Sequence, residues 1–222
     1  MTVQTASNAT SASINPLRKA WAVVRADWRA YLILNAMYYG LVIVLMIYVA
    51  FFNPQLQEEL LAAVGEAFGS GPLAGVAQAY GGGQVFSAMG LTFVVNLLAG
   101  SLLQITLPSL LIPFSGLLVG AYRAVLWGML LSPANPALAG AMIPHSLVLL
   151  LEGQGYILAL LAVYIHGRAI LNPARYGKTT RRQGYVEGLR RTAWVYLLVA
   201  LVLAVAAIYE AIEVIYLAPL FR

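Results

Sequence analysis

The stretch YLILNAMYYGLVIVLMIYVAFF, Tyr31–Phe52, contains no charged residue, and it constrains the fold more than any other feature. As a helix rising about 1.5 Å per residue, it is long enough to cross about 30 Å of hydrocarbon. Soluble domains have roughly 25% charged residues, whereas this chain of 222 residues has 9% and is 61% hydrophobic. The sequence therefore predicts an integral membrane protein.

Four further apolar segments repeat this pattern along the chain. Because backbone groups in lipid must be hydrogen-bonded within the protein, each segment is predicted to be an α-helix. The five predicted spans are about 31–52, 85–107, 115–131, 145–167 and 193–217. We expect an all-α helical bundle forming one transmembrane domain, 15–222, after a disordered tail, 1–14. The connection Leu107–Phe114 contains two prolines and is either a simple turn or a re-entrant break.

Two segments outside the spans predict amphipathic helices at the membrane surface. In the first, NPLRKAWAVVRADW, Asn15 suits the N-cap and Pro16 suits the first helical turn. This segment is equally compatible with the ordinary flank of a span. The second, PQLQEELLAAVGEAF, has apolar residues at helical spacing, with Glu58, Glu59 and Glu66 on the other side.

The positive residues are distributed unevenly about the spans. Four precede the first span and seven lie between the fourth and fifth, whereas the loops 53–84 and 132–144 contain none. Cytoplasmic loops are enriched in Lys and Arg, so the N-terminus is expected in the cytoplasm. Six basic residues are also expected to contact anionic lipid head groups: Arg175, Lys178, Arg181, Arg182, Arg190 and Arg191.

Polar residues within the spans are the candidate functional residues, because burying them in lipid is costly unless they are paired or wetted. The candidate intramembrane cluster is Arg123, His145, Glu152, Glu210 and Glu213. His145 and Glu152 share one helix face, and so do Glu210 and Glu213. We expect Glu152 to pair with Arg123 or to form a hydrogen bond with His145 on the same face. The cluster either fixes the packing of the helices or lines a cavity. Asn96, Gln104, Gln154 and His166 are further polar residues within the spans.

Small residues in the third span predict close helix packing. Gly116 and Gly120 are spaced as in a small-xxx-small pattern, which lets a second helix approach the backbone beside Arg123.

Signals for catalysis are weak. The chain has no cysteine, and it lacks both an H-E-x-x-H motif and a phosphate-binding Gly-Lys loop. The two histidines are predicted on opposite sides of the membrane. We therefore expect no enzymatic activity, no cofactor, no bound metal and no nucleic-acid partner.

Three segments resemble the stage II sporulation protein M family of small multi-span membrane proteins. IPHSLVLLLEGQGYILA is similar to its Pro-His motif followed by a glutamate, here Pro144, His145 and Glu152. AAIYEAIEVIYLAP resembles its last span, which ends with a carboxylate shortly before a proline. The matching carboxylate is Glu213, with Glu210 as the alternative, and the matching proline is Pro219. LIPFSGLLVGAYRAVL resembles its Gly-containing span. The family usually has glycine where this chain has Ser146, and its glutamate follows the histidine after one turn rather than two.

The resemblance implies a non-enzymatic scaffold or assembly subunit of a membrane complex in a prokaryotic inner membrane. Its partners would be membrane lipids and other membrane or envelope proteins, and a homo-oligomer is also open. One alternative is a permease-like subunit working with a separate ATPase. Another is an accessory helical subunit of a large membrane complex.

Overall fold

A computed structural model shows that the protein is an all-α bundle, as its apolar runs predict. The structure describes residues 15–71, 73–133 and 135–221, and the predicted tail at 1–14 lies outside them. Of the described residues, 89% are helical, and the described ranges contain no strand.

Long helices carry the architecture and are joined by short turns. In chain order they are α1 Pro16–Ala26, α2 Trp28–Phe52, α3 Pro54–Ser70, α4 Ala74–Gly81, α5 Val85–Leu111, α6 Ser115–Leu130, α7 Met142–Leu171 and α8 Arg181–Phe221. The connections before and after α7 contain short helical turns at Pro136–Ala139 and Pro173–Tyr176.

Four helices, α2, α5, α7 and α8, are long and apolar enough to cross a membrane. A fifth crossing is added if the bent pair α3–α4 acts as one span. The chain is therefore a multi-pass membrane protein. The predicted third span is the exception by length, because α6 has 16 residues. That is about 24 Å of helix, which is shorter than a typical hydrocarbon core of about 30 Å.

The α7 helix is the central element of the bundle. In the most apolar 18-residue stretch of α7, 78% of the residues are buried. The corresponding stretches of the other three long helices are 17% to 33% buried. Small residues allow this burial, because they let neighbouring side chains reach the α7 backbone. A Cβ added at Gly155 would lie 2.4 Å from a methyl carbon of Leu203 in α8, and one at Gly153 would lie 2.6 Å from the Tyr39 hydroxyl in α2.

The α5 helix differs from the prediction in two ways. Val95–Thr106 is wound as a π-helix, and the helix then continues past Pro108 to Leu111. Pro108 is tolerated because it falls in the first turn of the α-helical segment that ends α5. The connection to α6 is a simple turn rather than a re-entrant break. In this turn Phe114 adopts the left-handed conformation, and the Ser109 hydroxyl accepts a hydrogen bond from the Gly116 amide at 2.7 Å.

Both predicted amphipathic helices are present as α1 and α3. Asn15 caps α1 through its side chain, which accepts a hydrogen bond from the Leu17 amide at 2.9 Å. Gln57 anchors α3 by donating to the Leu130 and Ser132 carbonyls at the end of α6. The sequence did not predict α4, which packs next to α3 at a bend of 87°.

The basic region between the fourth and fifth predicted spans is largely helical. It forms the first turns of α8, and a buried carboxylate there, Glu187, pairs with Arg190 at 2.9 Å and Arg191 at 2.8 Å. Lys178 also lies 3.8 Å from Glu187. A second buried carboxylate, Asp27, lies 3.4 Å from Arg175. The Asp27 ion pair joins the turn between α1 and α2 to the segment that follows the end of α7.

Candidate functional site

A cavity of about 510 Å³ opens in the half of the bundle nearer the start of α7. Its walls come from α5, α6, α7 and α8, and residues of α3 and α4 cover one side. The polar residues that line it are Tyr80, Thr92, Asn96, Arg123, Glu152 and Glu210. Three of the five residues of the predicted polar cluster therefore meet at one cavity.

A chain of hydrogen bonds crosses the site from a guanidinium to a carboxylate. Arg123 donates through Nη2 to the Tyr156 hydroxyl at 2.7 Å, and that hydroxyl donates to Asn96 Oδ1 at 2.7 Å. The amide nitrogen of Asn96 donates in turn to Glu152 Oε1. Charge-assisted hydrogen bonds are stronger than neutral ones, so the two charged ends order the neutral groups between them.

Arg123 is held firmly on the side away from Glu152. Its guanidinium lies over the Tyr156 ring, 3.9 Å from the ring centre, and donates to Gln104 Oε1 at 3.3 Å. The Trp127 ring is 5.8 Å away. Cation–π contacts of this kind are strongest where water is excluded. Arg123 therefore has the aromatic rings and Gln104 as its partners, in place of the predicted partner Glu152.

The predicted ion pair between Arg123 and Glu152 is wrong. Both residues line the cavity, but Asn96 and Tyr156 are interposed between them. Sequence spacing gave a similar depth for Arg123 and Glu152 but did not indicate which side chains lie between the helices. His145 is likewise not the partner of Glu152, although the two share a face of α7.

The carboxyl groups of Glu152 and Glu210 both line this cavity. Glu152 is 7% exposed, and Glu210 has a buried oxygen, Oε2, with no hydrogen-bond partner. Two adjacent carboxylates repel strongly in an apolar environment. A cation beside such a pair, or a proton shared between the two groups, relieves this repulsion.

His145 and Glu213 form a second polar pair, which connects the beginning of α7 to the last turns of α8. His145 Nδ1 lies 3.0 Å from Glu213 Oε2, and the Glu213 side chain is 1% exposed. The Tyr209 hydroxyl donates to the Pro144 carbonyl at 3.0 Å beside this pair. These contacts hold the two helices together next to the cavity.

Two π-helical segments supply residues of these clusters. Asn96 and Gln104 lie within the π-helix of α5, and Glu213 begins the π-helix Glu213–Leu217. Single π-turns are uncommon and are found frequently at functional sites. Gly100 adds room in α5, because a Cβ there would lie 3.0 Å from the Tyr156 ring and 3.3 Å from Arg123 Nη2.

The predicted packing glycines lie at very close helix contacts. A Cβ on Gly116 would lie 2.2 Å from the Ile105 carbonyl oxygen of α5, and one on Gly120 would lie 2.5 Å from a Leu160 methyl carbon of α7. Both distances are far below van der Waals contact. These glycines place α6, and with it Arg123, against α5 and α7.

A separate polar contact holds α2 to α7 away from the cavity. Gln154 donates to Asn35 Oδ1 at 2.7 Å and to the Tyr39 hydroxyl at 3.1 Å, and it accepts from the Tyr31 hydroxyl at 2.5 Å. Because it is saturated by side chains of one neighbouring helix, Gln154 has a packing role rather than a place in the site.

The predicted lipid-contacting residues fall into two groups. Arg175, Lys178, Arg190 and Arg191 take part in the ion pairs with Asp27 and Glu187. Arg181 and Arg182 are exposed at the start of α8.

Several residues of the site were missed from the sequence. Tyr80, Thr92 and Trp127 line the cavity or its wall, and the Tyr80 and Thr92 hydroxyls are 2.9 Å apart. Tyr156, four residues after Glu152 on the same face of α7, was also not among the predicted site residues. Aromatic residues are common in membrane helices, so composition gave no signal. The spacing of Asn96, Gly100 and Gln104 places them on one face of α5 and is the pattern that marks this wall.

No protein-family model, curated protein or solved structure matches this chain in the comparisons made.

Proposed function

We propose that this protein is a permease-like subunit of a membrane transport system that admits a small cationic solute to the cavity. The observation that carries the proposal is the presence of two carboxyl groups, Glu152 and Glu210, in the wall of one 510 Å³ cavity. A cavity of this size, with apolar walls and a few convergent polar groups, is typical of small-molecule sites.

The wall chemistry favours a cation such as an organic amine. Glu210 has a buried oxygen without a hydrogen-bond partner. Arg123 directs its two terminal nitrogens to Gln104 and Tyr156, and its buried Nε has no hydrogen-bond partner. Trp127 lies in the same wall, and its ring face attracts cations. A solute ammonium group placed between the carboxyls would relieve their repulsion and give Glu210 a partner.

The expected scaffold or assembly role is the second candidate, and one contact favours it. His145 and Glu213 come from two of the segments that resemble the stage II sporulation protein M family, and they form a buried pair. A protein that only organises partners needs such fixed contacts but no wet cavity. The buried Glu210 oxygen that lacks a hydrogen-bond partner ranks transport first, because a purely structural cluster is expected to be fully paired.

We further propose a prokaryotic inner membrane and a cytoplasmic N-terminus, as the positive residues predict. The cavity then faces the outer half of the membrane. Since the sequence contains no phosphate-binding Gly-Lys loop, a separate ATPase would supply energy and the chain itself would catalyse no reaction. An accessory role in a larger membrane complex is compatible with the same site.

The proposal is tested by asking whether charged reagents enter the cavity. The chain has no cysteine, so single cysteines can be introduced at Val214, in the cavity wall, and at Val199, buried in the core. Matched cationic and anionic methanethiosulfonates are then added to protein in vesicles. We expect Val214→Cys to react with the cation at least about tenfold faster, because carboxylates concentrate cations in a cleft.

Three results distinguish the alternatives. Replacing Glu152 and Glu210 together by Gln is expected to remove the preference for the cation without removing the reaction. Reaction with no charge preference would leave a wet cavity but contradict the cationic solute. If Val214→Cys is as inert as Val199→Cys, the cavity is closed to water, and the scaffold role replaces transport.

A further inference from the structure

The α1 helix packs against the beginning of α8, and a groove of about 300 Å³ lies between them. Its residues are Lys19, Ala22, Val23, Arg190, Arg191 and Trp194. The groove is at the opposite end of α8 from Glu210, so it is separate from the solute cavity. Neither helix forms this site alone.

The groove presents three cations in fixed positions. The Lys19 ammonium lies 5.4 Å from the centre of the Trp194 ring. Buried Glu187 orients both arginines, accepting from Arg190 Nη2 at 2.9 Å and from Arg191 Nε at 2.8 Å. Because Arg191 donates to Glu187 through Nε, its two terminal amino groups can still donate to an oxygen in the groove. Guanidinium groups suit phosphate because their N–H groups match its oxygens in pairs.

The groove also has the features of a membrane-water boundary. Immediately after Arg191, α8 changes from a charged sequence to the apolar run AWVYLLVALVLAVAA, and Trp194 stands at that change. Tryptophan is enriched at the level of lipid head groups. On α1, Trp21 is 48% exposed and Leu17 is 44% exposed, so this helix offers apolar residues to acyl chains beside the basic groove.

We propose that this groove binds the phosphate head group of an anionic phospholipid, with its acyl chains against the exposed apolar residues of α1. The net charge of Lys19, Arg190, Arg191 and Glu187 is positive, which matches the phosphate. Ala22 and Val23 provide an apolar wall, which a soluble phosphate would not use. Of the six basic residues that the sequence predicts to contact lipid head groups, Arg190 and Arg191 line this groove, together with Lys19 and Trp194. It does not depend on the proposed transport function.

The test compares lipid retention by full-length variants in mild detergent, measured by native mass spectrometry. Phosphatidylglycerol and phosphatidylcholine with identical acyl chains are the probes. We expect Lys19→Gln with Arg191→Gln to weaken phosphatidylglycerol binding by about 25-fold, at about fivefold for each charge removed near the membrane surface. The matched control, Arg181→Gln with Arg182→Gln, removes two exposed charges of the same α8 segment outside the groove and is expected to leave binding unchanged.

Further variants keep the result interpretable. Lys19→Arg preserves the charge and is expected to retain binding, and melting temperatures verify that each variant is folded. Equal losses in the two double variants, or equal affinity for phosphatidylcholine, would overturn a defined groove in favour of a diffuse basic surface. Competition by inorganic phosphate as effective as that by phosphatidylglycerol would show a soluble phosphate ligand instead of a lipid.

Discussion

At the scale of single residues, Tyr156 connects the charged parts of the cavity. Its ring supports the Arg123 guanidinium, and its hydroxyl accepts from Arg123 and donates to Asn96. The side chain is completely buried. Tyr156 therefore lies with Asn96 between the cation and Glu152, and it keeps Asn96 oriented towards that carboxylate.

We predict that Tyr156→Phe destabilises the protein by about 1–3 kcal/mol, because it leaves buried polar groups on Arg123 and Asn96 without a partner. For a protein of this size that corresponds to a fall of about 2–10 °C in melting temperature in detergent. Tyr122→Phe is the matched control, because Tyr122 is 64% exposed on the neighbouring α6 helix. Equal melting temperatures for the two variants would mean that the hydroxyl of Tyr156 contributes no stability.

At the scale of secondary-structure elements, α6 is positioned by a row of small residues. Gly116, Gly120, Ala124 and Gly128 recur every fourth residue and are all buried. Gly128 contacts α2, where an added Cβ would lie 2.6 Å from the Val42 carbonyl oxygen. This row allows a 16-residue helix to pack closely against three longer ones, and its packing fixes the position of Arg123.

We predict that Gly116→Ala costs about 1–3 kcal/mol through overpacking, because the new methyl group would meet the rigid backbone carbonyl of Ile105. Gly90→Ala is the control, since nothing lies within 4 Å of the added Cβ. Alanine is the better helix former, so Gly90→Ala should unfold at the same or a higher temperature. If Gly116→Ala behaved like this control, the close contact of α6 with α5 would not contribute to stability.

At the scale of the whole molecule, charge and polarity separate along the bundle. The end at which α7 finishes carries the ion pairs of Asp27 and Glu187 with basic residues. The half in which α7 begins carries the cavity and the His145–Glu213 pair. The positive-inside tendency would put the first end in the cytoplasm and would open the cavity towards the outside.

We predict that an impermeant thiol reagent added to intact cells labels Ser70→Cys but not Thr179→Cys. Both positions are exposed, so differences in labelling report the side of the membrane rather than burial. Labelling of both after permeabilisation is the control for reactivity. Labelling of Thr179→Cys alone in intact cells would reverse the orientation and place the cavity on the cytoplasmic side.

The sequence by itself determined the class of the protein and most of its elements. Long uncharged runs require helices in lipid, which is why α2, α5, α7 and α8 were predicted near their observed positions. Local signals were also sufficient for α1 and α3, where Asn15 and Asn53 each cap the following helix through a side chain. The small-residue spacing at Gly116 and Gly120 indicated correctly where helices approach closely, because this contact depends on the absence of a side chain.

Only the tertiary structure decided the partners of the polar residues. Periodicity gives the face and depth of Arg123 or Glu152, but not the rotation of the neighbouring helix that offers a partner. The π-helix of α5 changes that rotation for Asn96 and Gln104, and no residue type in Val95–Thr106 signals it. The bend between α3 and α4, which closes one side of the cavity, likewise depends on packing against the spans. Charge and hydropathy therefore set the elements, while the geometry of helix packing set the site.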